Sequence, residues 1–213
     1  MTIHIKIFSD YICPFCFIGK GIIDSLKQEF PIIEEWLPFE IHPETPPRGA
    51  LLAEHLPHID WDELYCQLRV TGAQYGIVFG DVRMLANSRE ALAASEYARD
   101  CGMHERMHQA LFHAYFTECK NIGNRQVLLD LARDIGLDPK GLAAALDANS
   151  YQERLDRSAR EAHRRGITGV PTFIINGSIS IVGAQPLDVF RTMLARITCA
   201  KTSIGQSPPD QSQ

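Results

Sequence analysis

The sequence predicts an α/β fold in which a small sheet is interrupted by an all-helical insertion. Three observations support this prediction. Short apolar runs near both ends of the chain have the length and the alternation of strands. The stretch between them, from about residue 60 to 165, has almost wholly helical patterns. Two cysteines separated by two residues follow the first predicted strand, at a point where a helix begins.

The first predicted strand covers residues 3–8 and ends at the turn residues Ser9 and Asp10. Apolar residues then recur at helical spacing, and Pro14 suits the first turn of that helix because its missing N–H would have no partner there. Residues 36–41 predict a second strand. The segment that follows, 42–49, has four prolines or glycines in eight positions and is predicted to be a loop.

The interrupting segment is expected to hold about six helices. At three of their starts, a short polar side chain and a glutamate three residues later can satisfy each other's backbone N–H groups, the arrangement known as a capping box. A proline in the first turn marks another start, and two glycines fit helix ends. The boxes are Asp60 with Glu63, Asn87 with Glu90, and Ser150 with Glu153; the other start is Asp138-Pro139, and the end glycines are Gly102 and Gly136.

Strand signals return near the C-terminus, over residues 170–175 and 178–182. Asn176-Gly177 separates the two runs and favours a hairpin. A last helix is expected to run from about residue 185 to 198, and a polar tail after it is predicted to be disordered. We therefore predict a discontinuous sheet domain over residues 1–50 and 156–200, an inserted helical domain over 51–155, and a disordered tail over 201–213.

Composition restricts the class of function. The chain has 213 residues and a net charge of −5, which argues against a dedicated nucleic-acid-binding protein, whose surface would be basic. No apolar run approaches the roughly 20 residues that a membrane-spanning helix needs. The N-terminus lacks the charged start, apolar core and cleavage site of a signal peptide, so a cytoplasmic protein is expected.

The six cysteines divide into one close pair and four scattered residues. In a reducing cytoplasm the scattered cysteines should be thiols, most often buried as small apolar side chains. They are Cys66, Cys101, Cys119 and Cys199. The close pair, Cys13 and Cys16, needs an explanation of its own.

The motif Cys13-Pro14-Phe15-Cys16 indicates thiol–disulfide chemistry. At a helix start, unpaired N–H groups and the helix dipole favour negative charge, so the Cys13 thiolate, which is the reactive form, should be stabilised. Cys16 lies one turn further in, within bonding distance but more sheltered. The pair supplies an attacking and a resolving thiol, as disulfide exchange requires.

Two other interpretations of the pair are open. The spacing also suits half of a zinc site, although no second pair of ligands stands in a comparable loop. The cysteines could instead be buried structural residues. Pro171 favours the redox interpretation, because a proline that opens a core strand removes a donor from the sheet and is unusual there. In thioredoxin folds a cis-proline at such a position faces the reactive cysteines.

The chain resembles the DsbA-like thioredoxin superfamily, and within it the FrnE-like branch. The most specific segments are SDYICPFCFIGK (9–20) and GVPTFIINGSISIVGAQP (169–186), and helical segments such as LANSREALAASEYA (85–98) agree with the branch. The resemblance implies a thioredoxin fold, a central mixed sheet with flanking helices, interrupted by a helical domain. It also implies a redox disulfide between Cys13 and Cys16 and a cis bond before Pro171.

The implied activity is that of a protein disulfide oxidoreductase or isomerase with catalytic Cys13 and Cys16. The residues expected to contact substrate are Pro14, Phe15, Val170, Pro171 and Thr172. No metal and no cofactor beyond the redox disulfide are expected, although glutathione could act as a co-substrate. The expected partners are protein thiols or disulfides, or a small thiol, with no nucleic acid and no membrane, for a monomer or a homodimer.

Some features depart from the family pattern. FrnE-like proteins usually have Pro-Trp between the cysteines, and an uncharged Phe15 means that a DsbA-like oxidising strength does not carry over. Two alternatives to the redox function stay open. Glutathione-dependent isomerases of the 2-hydroxychromene-2-carboxylate type and kappa-class glutathione transferases share the fold, but typically have serine where this chain has Cys13. A non-catalytic chaperone could also hold extended peptides in a groove between the two domains.

Overall fold

The computed structural model describes residues 2–202 of the chain, with side chains as far as residue 199. In chain order the strands are β1 (Ile3–Ser9), β2 (Ile32–Pro38), β3 (Ala50–Leu51), β4 (Met84–Leu85), β5 (Thr172–Ile175) and β6 (Ile179–Val182). The helices are α1 (Pro14–Leu26), α2 (Leu52–His55), α3 (Trp61–Ala73), α4 (Arg89–Asp100), α5 (His104–Phe112), α6 (Arg125–Ile135), α7 (Pro139–Asp147), α8 (Gln152–Arg164) and α9 (Leu187–Thr202), with a π-helical turn at His113–Thr117.

The main sheet contains four strands in the order β2-β1-β5-β6. β1 runs parallel to β2 and antiparallel to β5, and β5 pairs antiparallel with β6. The helical segment is therefore inserted between β2 and β5, in the element order that the sequence predicts. This mixed sheet with flanking helices confirms the predicted α/β class.

The side chains of β1 point alternately to the two faces of the sheet, and both faces are packed against other elements. Ile3, Ile5 and Ile7 are buried in the main core cluster, together with Ile22 of α1 and Phe190 of α9. On the opposite face, Phe8 joins a smaller cluster with Ala162 of α8. The end of β1 is thus enclosed from both sides, and this is where the chain enters the cysteine motif.

The helical segment packs tightly against α1. Phe17 of α1 contacts the rings of Phe79, Phe112 and Phe116, with centroids 5.2–5.8 Å away. Gly21 allows an even closer approach, because a Cβ added there would lie 2.5 Å from the Cβ of Tyr75. The start of α1 is consequently held between the sheet and the helical segment.

Strand boundaries differ from those predicted. β2 covers Ile32–Pro38 instead of residues 36–41. It ends at Pro38 because its partner in the sheet, β1, ends opposite it at Ser9. Its first half was missed because Glu34 and Glu35 interrupt the apolar run; both carboxylates have a lysine within 4.0 Å. β5 and β6 begin two residues and one residue later than predicted.

The helix starts follow the predictions in part. Asp60 accepts a hydrogen bond from the Glu63 N–H, and Asp138 caps α7 ahead of Pro139, as predicted. The other two boxes were wrong. Asn87 accepts from the Arg89 N–H while Glu90 pairs with Arg125, and Ser150 closes the preceding helix through its own N–H to Ala145 while Glu153 pairs with Arg160. Gly102 and Gly136 have positive φ at helix ends, as predicted.

The four scattered cysteines are exposed, which contradicts their expected burial. Cys66, for example, lies on the side of α3 away from the buried Tyr65 and Leu68. α9 continues to Thr202, beyond its predicted end, so residues 201 and 202 are helical. The rest of the predicted disordered tail, 203–213, lies outside the described residues. Within residues 2–202 no helix is both long enough and apolar enough to cross a bilayer.

Candidate active site

The cysteine motif opens α1 directly after β1. Cys13 is the N-cap residue, with extended backbone angles, and Pro14 occupies the first turn. No acidic side chain is present in that turn, so nothing there opposes a negative charge on Cys13. The Cys16 N–H donates to the Cys13 carbonyl over 3.0 Å, which places the two side chains on the same side of the helix start.

Both cysteines are thiols in this structure, and their side chains are hydrogen-bonded to each other. They differ in accessibility: Cys13 is 5% exposed and Cys16 is 0% exposed. Burial, and then the hydrogen bond with Cys13, raises the pKa of the Cys16 thiol well above its ordinary value. Cys16 is therefore the more sheltered member of the pair.

The loop before β5 faces the motif. The Val170–Pro171 bond is cis, as the resemblance implied. The Cys13 Sγ lies 3.4 Å from the Val170 carbonyl oxygen. A Cβ on Gly19 would lie 3.4 Å from the Pro171 Cγ, so the Pro171 ring packs directly against α1. The structure thus brings together the N-terminal and C-terminal motifs that the sequence singles out.

The other predicted contact residues occupy different positions around this centre. Phe15 is 42% exposed, whereas Pro14 is half-buried. Thr172 is buried, and its hydroxyl donates to the Gly169 carbonyl over 2.7 Å. The Thr172 side chain therefore supports the loop from within, and Phe15 is the most exposed of the predicted contact residues.

Asp10, which the sequence predicts to be a turn residue, is wholly buried three positions before Cys13. Its carboxylate accepts hydrogen bonds from the Ile41 N–H at 2.8 Å and the Ser88 hydroxyl at 3.0 Å. Burial raises the pKa of this carboxyl to about 6, although those hydrogen bonds oppose the rise. Both partners are distant in sequence, so no local pattern could have predicted that the Asp10 carboxyl is buried and hydrogen-bonded.

The helical segment also contacts the turn that leads into the motif. The Tyr11 hydroxyl donates to Ser95 over 2.6 Å and lies 2.9 Å from Nδ1 of His108. Burial lowers the pKa of His108 well below its ordinary value, so this ring is neutral. These contacts place the helical segment against the Cys13 end of the sheet. The His108 ring packs among the rings of Tyr11, Trp36 and Phe112.

A groove of about 490 Å³ separates the end of β2 from α4 and α8. Its floor is largely apolar, and Phe39, Ile41 and Leu155 contribute to it. Arg89 crosses one side, where it pairs with Glu40 at 2.6 Å and with Asp156 at 3.3 Å. The groove continues to Ile167 and Thr168, two residues before Val170.

Comparisons with known proteins agree with this architecture. Residues 4–195 match the family described as the DSBA-like thioredoxin domain. The chain is 31% identical over 196 residues to YwbO, an uncharacterised protein of Bacillus subtilis, covering 92% of this chain and 97% of that protein.

Solved structures share the fold at lower identity. A probable DsbA oxidoreductase from Streptomyces coelicolor superposes with a TM-score of 0.83 at 23% identity, over 99% of this chain and 94% of that one. A 2-hydroxychromene-2-carboxylate isomerase gives 0.77 at 17%, over 95% and 100%. The cytosolic disulfide reductase DsbM from Pseudomonas aeruginosa, solved with glutathione, gives 0.68 at 23%, over 93% and 99%.

Proposed function

Because the chain belongs to the DSBA-like thioredoxin family, we propose that it is a thiol–disulfide oxidoreductase that works through Cys13 and Cys16. The observation that carries the proposal is the asymmetry of the two thiols at one helix start. Cys13 caps the helix with its sulfur at the surface loop of Val170, and Cys16 is fully enclosed behind it. Disulfide exchange needs one attacking and one resolving thiol arranged in this way.

In the reductive direction, the Cys13 thiolate attacks one sulfur of a substrate disulfide. The substrate S–S bond breaks, a Cys13–substrate disulfide forms, and the first substrate thiolate leaves and takes up a proton. Cys16 then loses its proton and attacks the Cys13 sulfur, which releases the second substrate thiolate and leaves a Cys13–Cys16 disulfide. The substrate gains two electrons and the enzyme loses two. The oxidative direction is the reverse of these steps.

Substrate binding is assigned to the surface around Cys13. An extended peptide could pair with the backbone at Val170, as in strand addition, while its side chains contact Phe15. Pro14 and Pro171 would shape the two sides of this contact. The groove that ends near Val170 offers an apolar surface for a longer partner, and we infer that the helical segment forms its second wall.

The partners we propose are protein thiols or disulfides, with glutathione as a small co-substrate. The glutathione present with the disulfide reductase of similar fold supports a glutathione-coupled cycle. Its description as a cytosolic enzyme likewise supports a cytoplasmic location for this chain. We place the protein in the FrnE-like branch on the motif segments named above. No metal or further cofactor enters the proposed reaction, and the protein would act as a monomer or a homodimer.

The test is equilibration of the protein in glutathione buffers of graded ratio, followed by alkylation and peptide mass analysis. We expect a reversible Cys13–Cys16 disulfide, and turnover of a fluorescent disulfide peptide that Cys13→Ser abolishes. A Cys66→Ser variant is the matched control, because Cys66 is an exposed thiol on α3. A pair that never oxidises reversibly would favour the non-catalytic chaperone, and isomerisation of a chromene carboxylate with glutathione that survives Cys16→Ser would favour the isomerase.

A further inference from the structure

A second group of reactive side chains lies outside the dithiol site, in the loop after β2 and at the end of α2. It consists of His42, Glu44 and His55, whose potential ligand atoms all lie within 4.8 Å of one another. The Nδ1 of His42 is 2.9 Å from the Glu44 Oε1, and the Nε2 of His55 is 3.2 Å from the same oxygen. Both imidazoles therefore direct a nitrogen at one carboxylate.

These separations match those of metal ligands. A transition-metal ion binds imidazole nitrogen and carboxylate oxygen at about 2.0–2.2 Å, so neighbouring ligand atoms stand roughly 3.0–3.5 Å apart. The two nitrogen–oxygen separations are already near that range. All three potential ligand atoms lie within 4.8 Å of one another, so the side chains surround a common space in which an ion could bind.

The backbone at both ends of the group is fixed. The His42 carbonyl accepts from the Thr45 N–H over 3.1 Å, and the Thr45 carbonyl accepts from the Asn87 side chain over 2.7 Å. α2, which ends at His55, is attached at its start through the Leu52 N–H, which donates to the Arg83 carbonyl over 3.0 Å. The group is therefore held at fixed points of the fold, although it joins two separate segments.

Exposure differs among the three side chains. The His42 and His55 side chains are 24% and 23% exposed, and their rings meet edge-on with centroids 5.8 Å apart. The Glu44 side chain is 56% exposed. The histidines thus form a partly sheltered floor, and the open side beyond Glu44 leaves room for water on a bound ion.

We propose that His42, Glu44 and His55 bind a divalent transition-metal ion such as Zn²⁺, with water in a fourth position. Two imidazoles and one carboxylate favour Zn²⁺ and its neighbours over Mg²⁺ or Ca²⁺, which prefer oxygen ligands throughout. The site uses neither Cys13 nor Cys16. His42 and Glu44 lie in the predicted loop, whereas His55 lies beyond it in α2, and the spacing of the histidines forms no recognisable motif.

The test measures Zn²⁺ binding by calorimetry in a Cys13→Ser/Cys16→Ser background, so that the dithiol cannot compete. We expect one equivalent to bind. His42→Ala and His55→Ala should each weaken binding at least tenfold, and Glu44→Gln should weaken it as well. His113→Ala is the matched control and should leave the affinity unchanged, because His113 is exposed and lies 4.0 Å from Glu118 without a second histidine at that carboxylate.

Two outcomes would overturn the proposal. One is a background protein that takes up no Zn²⁺, or that binds it equally well after His42→Ala and His55→Ala. The other is a Co²⁺-loaded background whose absorption shows thiolate charge transfer, since the ion would then sit on an exposed cysteine. Far-UV circular dichroism of each variant confirms that affinity is compared between folded proteins.

Discussion

The sulfur of Cys13 lies 3.4 Å from the carbonyl oxygen of Val170, although 157 positions separate the two residues in the chain. Cys16, one helical turn away, is enclosed and makes its side-chain contact with Cys13. A substrate that approaches along the Val170 loop therefore meets Cys13 first. This order of access is the basis for the separate roles that we propose for the two thiols.

Cys16→Ala should trap substrate proteins as mixed disulfides, whereas Cys13→Ala should not. Without Cys16, no internal thiol is placed to attack the Cys13–substrate bond, so the intermediate accumulates. Non-reducing gels of each variant after incubation with a disulfide-containing protein measure this. Equal trapping by the two variants would show that the roles are not divided as proposed.

Phe15→Ala should raise the KM for a peptide disulfide roughly three- to tenfold, with kcat little changed. In the proposed mode of binding, the exposed ring would contact substrate in the ground state and the transition state alike, so its loss would weaken binding without altering the chemical step. Val70→Ala is the control, because Val70 is an exposed apolar side chain on α3. A fall in kcat with constant KM would argue that Phe15 acts on the thiols instead.

The Asp10 carboxyl should increase the free energy of unfolding at acidic pH and lose this contribution at neutral pH. The folded pKa of about 6 exceeds the ordinary 3.8, so the folded state holds the proton more tightly. That contribution is complete below about pH 4 and disappears as the pH rises through 6. It corresponds to about 3 kcal/mol, since one pKa unit is about 1.4 kcal/mol.

The measurement is chemical denaturation of the wild-type protein and Asp10→Asn under reducing conditions at pH 4 and pH 8. Asparagine does not titrate, so the free energy of unfolding of the wild-type protein relative to this variant should be higher at pH 4 than at pH 8. A difference that is constant with pH would mean that the Asp10 carboxyl has an ordinary pKa in the folded protein.

Gly21→Ala should lower the free energy of unfolding by about 1–2 kcal/mol. Helix propensity alone would predict a gain of about 1 kcal/mol. The added Cβ would instead lie 2.5 Å from the Tyr75 Cβ. The Tyr75 Cβ is bonded directly to the main chain, so it cannot move away easily. The result is overpacking, which costs about 1–3 kcal/mol. Gly169→Ala, where a Cβ meets nothing within 4 Å, should be neutral or slightly stabilising. Stabilisation by both substitutions would disprove the close contact.

The sequence predicts the parts of the fold that depend on neighbouring residues. Asp138 and Pro139 start a helix through local bonds, and Gly136 ends one through its own backbone freedom, so both are visible in the pattern. Pro38 ends β2 for a different reason, since β1 offers no partner beyond Ser9. A single segment cannot show where its partner strand ends.

The same distinction explains the site. Cys13 and Cys16 are recognisable because their chemistry lies in their spacing. Asp10 is not, because its burial depends on Ile41 and Ser88, which are 31 and 78 positions away. The convergence of His42 and His55 was likewise invisible, since it depends on how α2 folds back over the loop.

The position of β1 in the sheet has a consequence for the protein during its synthesis. Its parallel neighbour β2 is complete by residue 38, but its antiparallel neighbour β5 begins only at residue 172. While the ribosome makes the intervening helices, one edge of β1 has no strand to pair with, and such an edge is a site for mispairing. The reactive thiols are therefore translated early but enclosed late, so the nascent chain carries them without the carbonyl that later faces Cys13.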